Sequence, residues 1–423
     1  MTSQHKGRRS VLVSTLSLGI VVGASASLSW GAPAPAVTAK PVVCPASPGV
    51  DGSSINLGII TATSGASSSS FTGFVEGATL RVDQQNAKGG VNGRKIKLTT
   101  YDDQGSGATQ SSVATKAIQQ DNQFGVIEAS TVDTMMPVFK ASNVPVVGLT
   151  NLPAHGTDRN VFGVTGAFSN AYTTTTLAKR LTSSGATKVA IVNHNSPGAQ
   201  SAGGGMTAAL ALENIPLALR ISDAPIGAYD ATSTALRIKQ SGADAVNAIL
   251  TLDGAVSLIQ ALTQQGVKLK AFVPSGLSDP AVVAKAPAAL EGAVGSTFGT
   301  VPVGVPGKPG LRTFANGMKA AGRNPYSVGA PIGFVAADTF IKGLQLAGKC
   351  PTREGFVSNL RKQTNITGAG MLPEAISYAP GLTPNGNPGH CSWYMTVQGG
   401  QFVPDAAPVC GKIIEVATGK IVG

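Results

Sequence analysis

The sequence predicts an α/β fold in which short apolar strands alternate with helices along most of its 423 residues. Three observations carry this prediction. Hydrophobic residues make up 42% of the chain and charged residues only 13%, which is typical of a globular protein with an ample core. Glycine-rich turns separate the apolar runs. Residues 55–103 also contain a complete strand–helix–strand unit, which is the building block of parallel sheets.

This unit begins with an apolar run at 55–60, which predicts a buried strand closed by a Ser/Gly loop. The next segment predicts an amphipathic helix, because its apolar side chains recur at i, i+4, i+7 and i+11: Phe71, Val75, Ala78 and Val82. Gly89 and Gly90 end this helix. Residues 95–101 then alternate between polar and apolar side chains, which indicates a second strand.

The same alternation continues to the end of the chain. Further strands are predicted at 125–127, 145–148, 188–192, 217–221, 245–250, 270–273 and 294–303. Further helices are predicted at 113–120, from about 135, and at 169–182, 200–213, 232–240, 254–265, 311–321, 331–346 and 352–362. A hairpin at 393–397 and 401–403 closes the chain after a Pro/Gly-rich loop at 373–388. Residues 160–165 are the expected first crossing into a second lobe.

Residues 1–40 have the order of a secretory signal: basic residues, an apolar run at 11–26, then small residues. A membrane anchor would need about twenty apolar residues, and serine and threonine interrupt this shorter run. The four basic and no acidic residues of 1–40 take +4 from the formal charge of +11 and leave +7. No basic run interleaved with aromatics remains, which excludes a nucleic-acid partner. Export is therefore expected.

Four cysteines in an exported chain predict two disulfides: Cys44, Cys350, Cys391 and Cys410. Three pairings are open, and the sequence does not choose among them. Our expectation is Cys350–Cys391, with Cys44–Cys410 joining the two ends. A lipid anchor on Cys44 is the alternative, but the bulky residues at 41–43 do not suit a lipoprotein signal.

Motifs for catalysis or for a bound metal or cofactor are absent from the sequence. There is no CxxC, HExxH or GxSxG, and Pro309 stands where a phosphate-binding loop at 304–310 would need Ser or Thr. His194 lies on a loop after a strand, and a hydrolase would need it beside a serine such as Ser196 or Ser275. We therefore expect no enzyme, no cofactor and no metal.

Small polar residues follow three predicted strands, at the ends where open α/β sheets bind ligands. They occupy residues 64–70 and five further positions: Ser130, Thr131, Thr134, Thr150 and Asn151. Hydroxyls together with the free amides of helix N-termini suit a carboxylate or another acceptor-rich group. The alternative is that these residues are ordinary helix caps and turn formers.

The stretch from the first strand through Asn-Ala-Lys-Gly-Gly-Val-Asn-Gly-Arg at 86–94 to Tyr-Asp-Asp at 101–103 closely resembles the type I extracytoplasmic solute-binding proteins, in particular the leucine/isoleucine/valine-binding branch that serves ABC transporters. The resemblance continues more loosely to about Gln401. It implies two Rossmann-like lobes joined by a three-segment hinge. Lobe 1 would comprise 53–165 plus 303–372 and lobe 2 166–302 plus 373–415, after a signal peptide and linker at 1–40.

The resemblance also implies a ligand set in the cleft. It places the carboxylate-binding segments at 130–134 and 150–151, and the acidic partner of an amino-acid ammonium at Ser275. Because a buried ammonium without a carboxylate is costly, Asp253, Asp230 or Asp279 must replace that partner, or the ligand is not an α-amino acid. We favour the second reading, an uncharged or carboxylate-bearing solute. The candidate ligand-binding residues are Ser70, Phe71, Ser130, Thr131, Thr134, Thr150, Asn151, His194, Asp253 and Ser275.

The sequence thus predicts a monomeric extracytoplasmic binding protein. It would capture a small organic solute (an amino acid, amide or carboxylate-like molecule) and deliver it to an ABC permease. One alternative is a ligand-sensing module for a receptor or regulator. The other is a hydrolase on the same scaffold.

Overall fold

The computed structural model describes residues 44–167, 171–227 and 229–423, which form an α/β structure with two parallel sheets. The predicted signal peptide at 1–40 and the predicted start of a helix at 169 lie outside these residues. Within the described part of the chain, no helix has the length and apolar character needed to cross a membrane.

The strands and helices follow the predicted alternation closely. The strands are β1 (Ser54–Thr61), β2 (Lys95–Asp102), β3 (Gly125–Ala129), β4 (Val146–Gly148), β5 (Val161–Gly163), β6 (Tyr172–Thr174), β7 (Val189–His194), β8 (Leu217–Ala224), β9 (Ala245–Ile249), β10 (Ala271–Pro274), β11 (Val294–Ser296), β12 (Cys391–Ser392), β13 (Tyr394–Gln398), β14 (Gln401–Pro404), β15 (Val409–Cys410) and β16 (Ile413–Glu415). The helices are α1 (Phe74–Ala87), α2 (Gly107–Gln119), α3 (Met136–Ala141), α4 (Ala154–Thr157), α5 (Thr176–Ser183), α6 (Pro197–Leu212), α7 (Ala231–Ser241), α8 (Leu252–Gln264), α9 (Pro280–Val283), α10 (Pro287–Leu290), α11 (Pro309–Ala320), α12 (Ala330–Leu346) and α13 (Arg353–Leu360).

The first lobe is built on a five-stranded parallel sheet in the order β2-β1-β3-β4-β5. Helices α11 to α13 return to this sheet from a distant part of the chain and share its hydrophobic core. Helix α12 packs closely against α1. A Cβ on Gly77 would lie 1.9 Å from the Ala330 carbonyl oxygen, which shows that the two backbones approach each other here. A Cβ on Gly333 would similarly lie 2.0 Å from the Phe74 carbonyl oxygen. Glycine is therefore required on both helices.

The second lobe is built on a four-stranded parallel sheet in the order β10-β9-β7-β8. Counted from its own first strand, each sheet has the order 2-1-3-4, with β5 added in the first lobe. The strand order therefore reverses at equivalent places, between β1 and β3 and between β7 and β9. These switch points are where open α/β sheets bind ligands.

The first crossing, one predicted strand and one predicted helix differ from our expectation. The predicted helix at 169–182 contains the strand β6 in its described part, and α5 begins only at Thr176. Residues 160–165 contain β5, which belongs to the first sheet, so the chain leaves this lobe only after Gly163. An apolar run of three residues is too short for its periodicity to identify a strand. The predicted strand at 294–303 ends at Ser296, because Phe298 has a positive φ of 48° and turns the chain. The exact bounds of the two lobes stay a prediction.

The disulfide pairing that we expected is wrong. The bonds are Cys44–Cys350 and Cys391–Cys410. The chain before β1 lies against the end of α12, where Arg94 donates to the carbonyl oxygens of Asp51 and Lys349 and so brings Cys44 to Cys350. Cys391 and Cys410 are direct partners in the β12–β15 ladder. The Sγ atom that a lipid anchor on Cys44 would use is therefore bonded to Cys350.

Removal of the Cys44–Cys350 bond by a double Cys→Ser substitution is expected to lower the free energy of unfolding by about 2–4 kcal/mol. This bond joins residues 306 positions apart, whereas Cys391–Cys410 spans 19 positions and constrains the unfolded chain less. Urea unfolding of both double variants measures the difference. A greater loss from the C391S/C410S variant would contradict this order.

Candidate functional site

A cavity of about 420 Å³ lies between the two lobes, at the carboxyl ends of β3, β4, β7, β9 and β10. Its volume is within the range of about 300–1,000 Å³ that is typical of small-molecule sites. Seven of the ten residues predicted to bind ligand line it: Ser70, Phe71, Thr131, Thr150, Asn151, His194 and Ser275. Both lobes therefore contribute to one cleft.

Ser130 and Thr134 do not line this cavity, and the structure shows what they do instead. The Ser130 hydroxyl donates to Asp103 Oδ2 at 2.5 Å and accepts from Gln110 Nε2 at 2.8 Å. The Thr134 hydroxyl donates to the carbonyl oxygen of Gly107 at 2.7 Å. Both hydroxyls form hydrogen bonds within lobe 1. Their role there is structural, which was the alternative interpretation of these residues.

The three acidic candidates also lie away from the cavity. The Asp253 side chain is 72% exposed and lies 3.9 Å from the Lys285 ammonium. Asp230 accepts the backbone N–H of Ser233 at 2.9 Å and caps α7, while Asp279 caps α9. No Asp, Glu, Lys or Arg side chain is among the described residues that line the cavity. The described lining of the cleft therefore offers no ionised partner to a ligand.

His194 lines the cavity, but both of its ring nitrogens already have partners. Nδ1 lies 3.1 Å from the carbonyl oxygen of Ala224, and Nε2 accepts the backbone N–H of Thr251 at 2.9 Å. The ring is therefore neutral with its proton on Nδ1, and burial lowers its pKa. It has no free nitrogen to activate Ser196 or Ser275, so the geometry does not form the nucleophile–base pair of a hydrolase.

This arrangement predicts a pH dependence of stability. Because the pKa of His194 is lower in the folded protein than its unfolded value near 6.5, the unfolded chain binds the proton first as the pH falls. The stabilisation is complete above pH 6.5 and is lost below it, by up to about 1.4 kcal/mol per pH unit. Urea unfolding at pH 7 and pH 5 should show a smaller loss for His194→Gln than for the wild type. Equal losses would contradict this assignment.

The aromatic wall of the cavity was not predicted from the sequence. It is formed by Phe298, Trp393 and Tyr394, which come from the segments that connect the lobes and from the terminal hairpin. The Trp393 indole N–H donates to the carbonyl oxygen of Asp405 at 2.8 Å, and the Tyr394 hydroxyl donates to Thr176 Oγ1 at 3.2 Å. These bonds hold the rings in place. Trp393 is the only tryptophan after residue 40, which is the one signal that could have identified it.

Phe298 connects the cavity to the cores of both lobes, since its ring packs against each of them. Its left-handed backbone lies in a turn closed by two reciprocal bonds between Thr297 and Thr300, at 2.6 and 3.0 Å. A Cβ on Gly276 would lie 2.7 Å from this ring. A strained residue held by its surroundings at a cleft is typical of functional sites.

Comparisons with known proteins agree with this architecture. A family profile described as periplasmic binding protein matches residues 54–401. No curated protein sequence matches the chain significantly.

Three of the similar solved structures are a leucine-binding protein from Thermotoga maritima, a solute-binding protein from R. palustris in complex with benzoate, and a fatty acid ABC transporter substrate-binding protein from Thermomonospora curvata. Their sequence identities are 16%, 17% and 20%, and their TM-scores 0.70, 0.70 and 0.73. The matches cover 84%, 85% and 90% of this chain and 98%, 97% and 97% of those chains. At these identities the likeness concerns the fold.

The profile spans more than half of the chain and includes the core elements of both lobes. The matched residues include both parallel sheets and the residues that line the cleft between them. The chain therefore belongs to the periplasmic binding protein family, as a type I extracytoplasmic substrate-binding protein.

Proposed function

We propose that this protein is exported by its N-terminal signal, captures a small organic solute in the cleft and delivers it to the permease of an ABC transporter. The observation that carries the proposal is the cavity itself, which lies at the switch points of both sheets and takes its lining from both lobes. Relatives of the same shape include a leucine-binding protein and a fatty acid transporter component. They support the class of function without naming this ligand.

Capture would proceed by closure of the two lobes around the ligand. Closure removes water from the cleft and brings Thr131, Thr150 and Asn151 of lobe 1 against Ser275 and the start of α6 in lobe 2. Each of these groups then acts in a drier environment, where its hydrogen bonds are stronger. The permease would recognise the closed form because closure creates a surface that the open form lacks.

A thermal-shift screen of the exported chain tests this proposal. The compounds are amino acids, amides, carboxylates and sugars, and a ligand raises the melting temperature by mass action. We expect at least one class to raise Tm in a concentration-dependent manner, without chemical change in the compound. A screen in which no class raises Tm, or turnover of a bound compound, would count against the proposal.

A further inference from the structure

The chemistry of the cleft narrows the class of ligand that this protein would bind. This inference rests on the proposed function. We propose that the ligand is a carboxylate that lacks an amino group and carries an apolar body. The proposal excludes the α-amino acids, although the sequence most resembles their binding proteins. It follows from three features of the cavity: the missing acid, an open helix start and an aromatic wall.

The missing acid excludes an ammonium group. None of the described residues that line the cavity is an Asp or a Glu, and the lining residue at the carboxyl end of β10 is the uncharged Ser275. The three aspartates that could compensate lie outside the lining. An ammonium enclosed here would lose its hydration without gaining a charged partner, which is strongly unfavourable.

The start of α6 offers unused donors to a carboxylate. Ser196 is the N-cap of this helix, but its hydroxyl does not cap the helix and has no partner among the described residues. Pro197 has no N–H, and the N–H groups of Gly198 and Ala199 find no acceptor in the described part of the chain.

Ser196 is only 8% exposed, and it lines the cavity together with Gly198 and Ala199. An unpartnered hydroxyl and two amides that are left open at one point of a cavity suit an anionic oxygen group. The net charge of +7 on residues 41–423 favours an anion over a cation as well.

The remainder of the cavity accommodates an apolar body. Leu177 and Met206 line it from α5 and α6, and Phe71, Phe298 and Trp393 supply aromatic rings. Burial of apolar ligand surface against such a wall favours binding, because it removes that surface from water. A small hydrophilic acid would leave this wall without a partner, which is why the proposal specifies an apolar body.

Matched ligand pairs that differ only in the amino group test the proposal by titration calorimetry. The pairs are 4-methylpentanoate with leucine and 3-phenylpropanoate with phenylalanine, and 3-phenylpropanamide serves as the uncharged counterpart. We expect at least one deaminated acid to bind ten or more times tighter than its amino acid, and also tighter than the amide. An amino acid that binds as tightly as its deaminated partner, or an amide that equals the acid, would overturn the proposal.

Variants at two lining residues give an independent test. Ser275→Asp places a carboxylate in the cleft and is expected to tighten amino-acid binding and to weaken binding of the deaminated acids. The uncharged Ser275→Asn variant is its control and should do neither. Ser196→Ala should weaken the acids at least threefold while leaving the melting temperature of the empty protein unchanged. If Ser275→Asp distinguishes deaminated acids from amino acids as the wild type does, the missing acidic side chain does not determine the ligand class and the proposal is contradicted.

The failure of this inference differs from that of the proposed function. If every acid and amino acid leaves Tm unchanged while a sugar or another class raises it, the ligand class proposed here is wrong and the binding function stands. If no class of compound raises Tm, both are wrong.

Discussion

Gly198→Ala is expected to weaken ligand binding by about tenfold or more. Gly198 lies in the first turn of α6, and a Cβ there would lie 2.8 Å from the carbonyl oxygen of Asn151 in lobe 1. Such a distance is too short for a carbon–oxygen contact, and the oxygen belongs to backbone that cannot simply rotate away. The added methyl group should therefore hold the two lobes apart where they close on the ligand, and a misplacement of a few tenths of an ångström weakens every bond across the cleft.

The same helix offers a matched control. A Cβ on Gly204 would have its nearest neighbour in the Arg220 side chain, at an ordinary distance of 3.9 Å. Gly204→Ala gains the helix propensity of alanine, worth up to about 1 kcal/mol, without touching the other lobe. Titration calorimetry with the ligand from the screen should show wild-type affinity for Gly204→Ala. Equal affinities for the two variants would mean that the lobes do not meet at Gly198 in the bound state.

Most of the fold could be predicted because its signals are local. The apolar run at 55–60 became β1, and the alternation at 95–101 became β2, each within two residues of the prediction. Glycine turns marked the ends of the intervening helices. The short strands β5 and β6 were missed because they are defined by their pairing with a neighbouring strand and have no pattern of their own.

Only part of the candidate site could be predicted from the sequence, for a related reason. Thr150 and Asn151 could be placed at the cleft because residues after parallel strands share one edge of a sheet. Phe298 and Trp393 reach the same cavity from hinge and hairpin segments far along the chain, and no local pattern shows where such segments pass. The prediction of the disulfide pairing was wrong for the same reason, because no local pattern shows that the end of α12 lies beside residue 44 in the folded first lobe.

Arg361→Ala is expected to lower the free energy of unfolding by about 3–5 kcal/mol. Arg361 is 4% exposed and has no carboxylate partner among the described residues. Its guanidinium donates instead to four backbone carbonyl oxygens: those of Asp158, Arg159, Val161 and Asn385. It also stacks 3.9 Å from the centre of the Phe162 ring. It thus joins the end of α13, the start of β5 and the long loop at 373–388.

Truncation of this side chain removes all of these bonds at once. The carbonyl oxygens of Asp158 and Val161 keep the Asn385 amide as a donor, whereas those of Arg159 and Asn385 lose their donor, which costs about 1–3 kcal/mol for each group that water does not reach. Arg361→Lys should recover less than half of the loss, since a single ammonium cannot match the planar fork of donors. The neighbouring Lys362 is exposed, so Lys362→Ala should stay within about 0.5 kcal/mol of the wild type. Urea unfolding at pH 7 compares the three variants. A loss below 1 kcal/mol for Arg361→Ala would show that these carbonyl groups find other partners and that the guanidinium does not hold β5 to the loop.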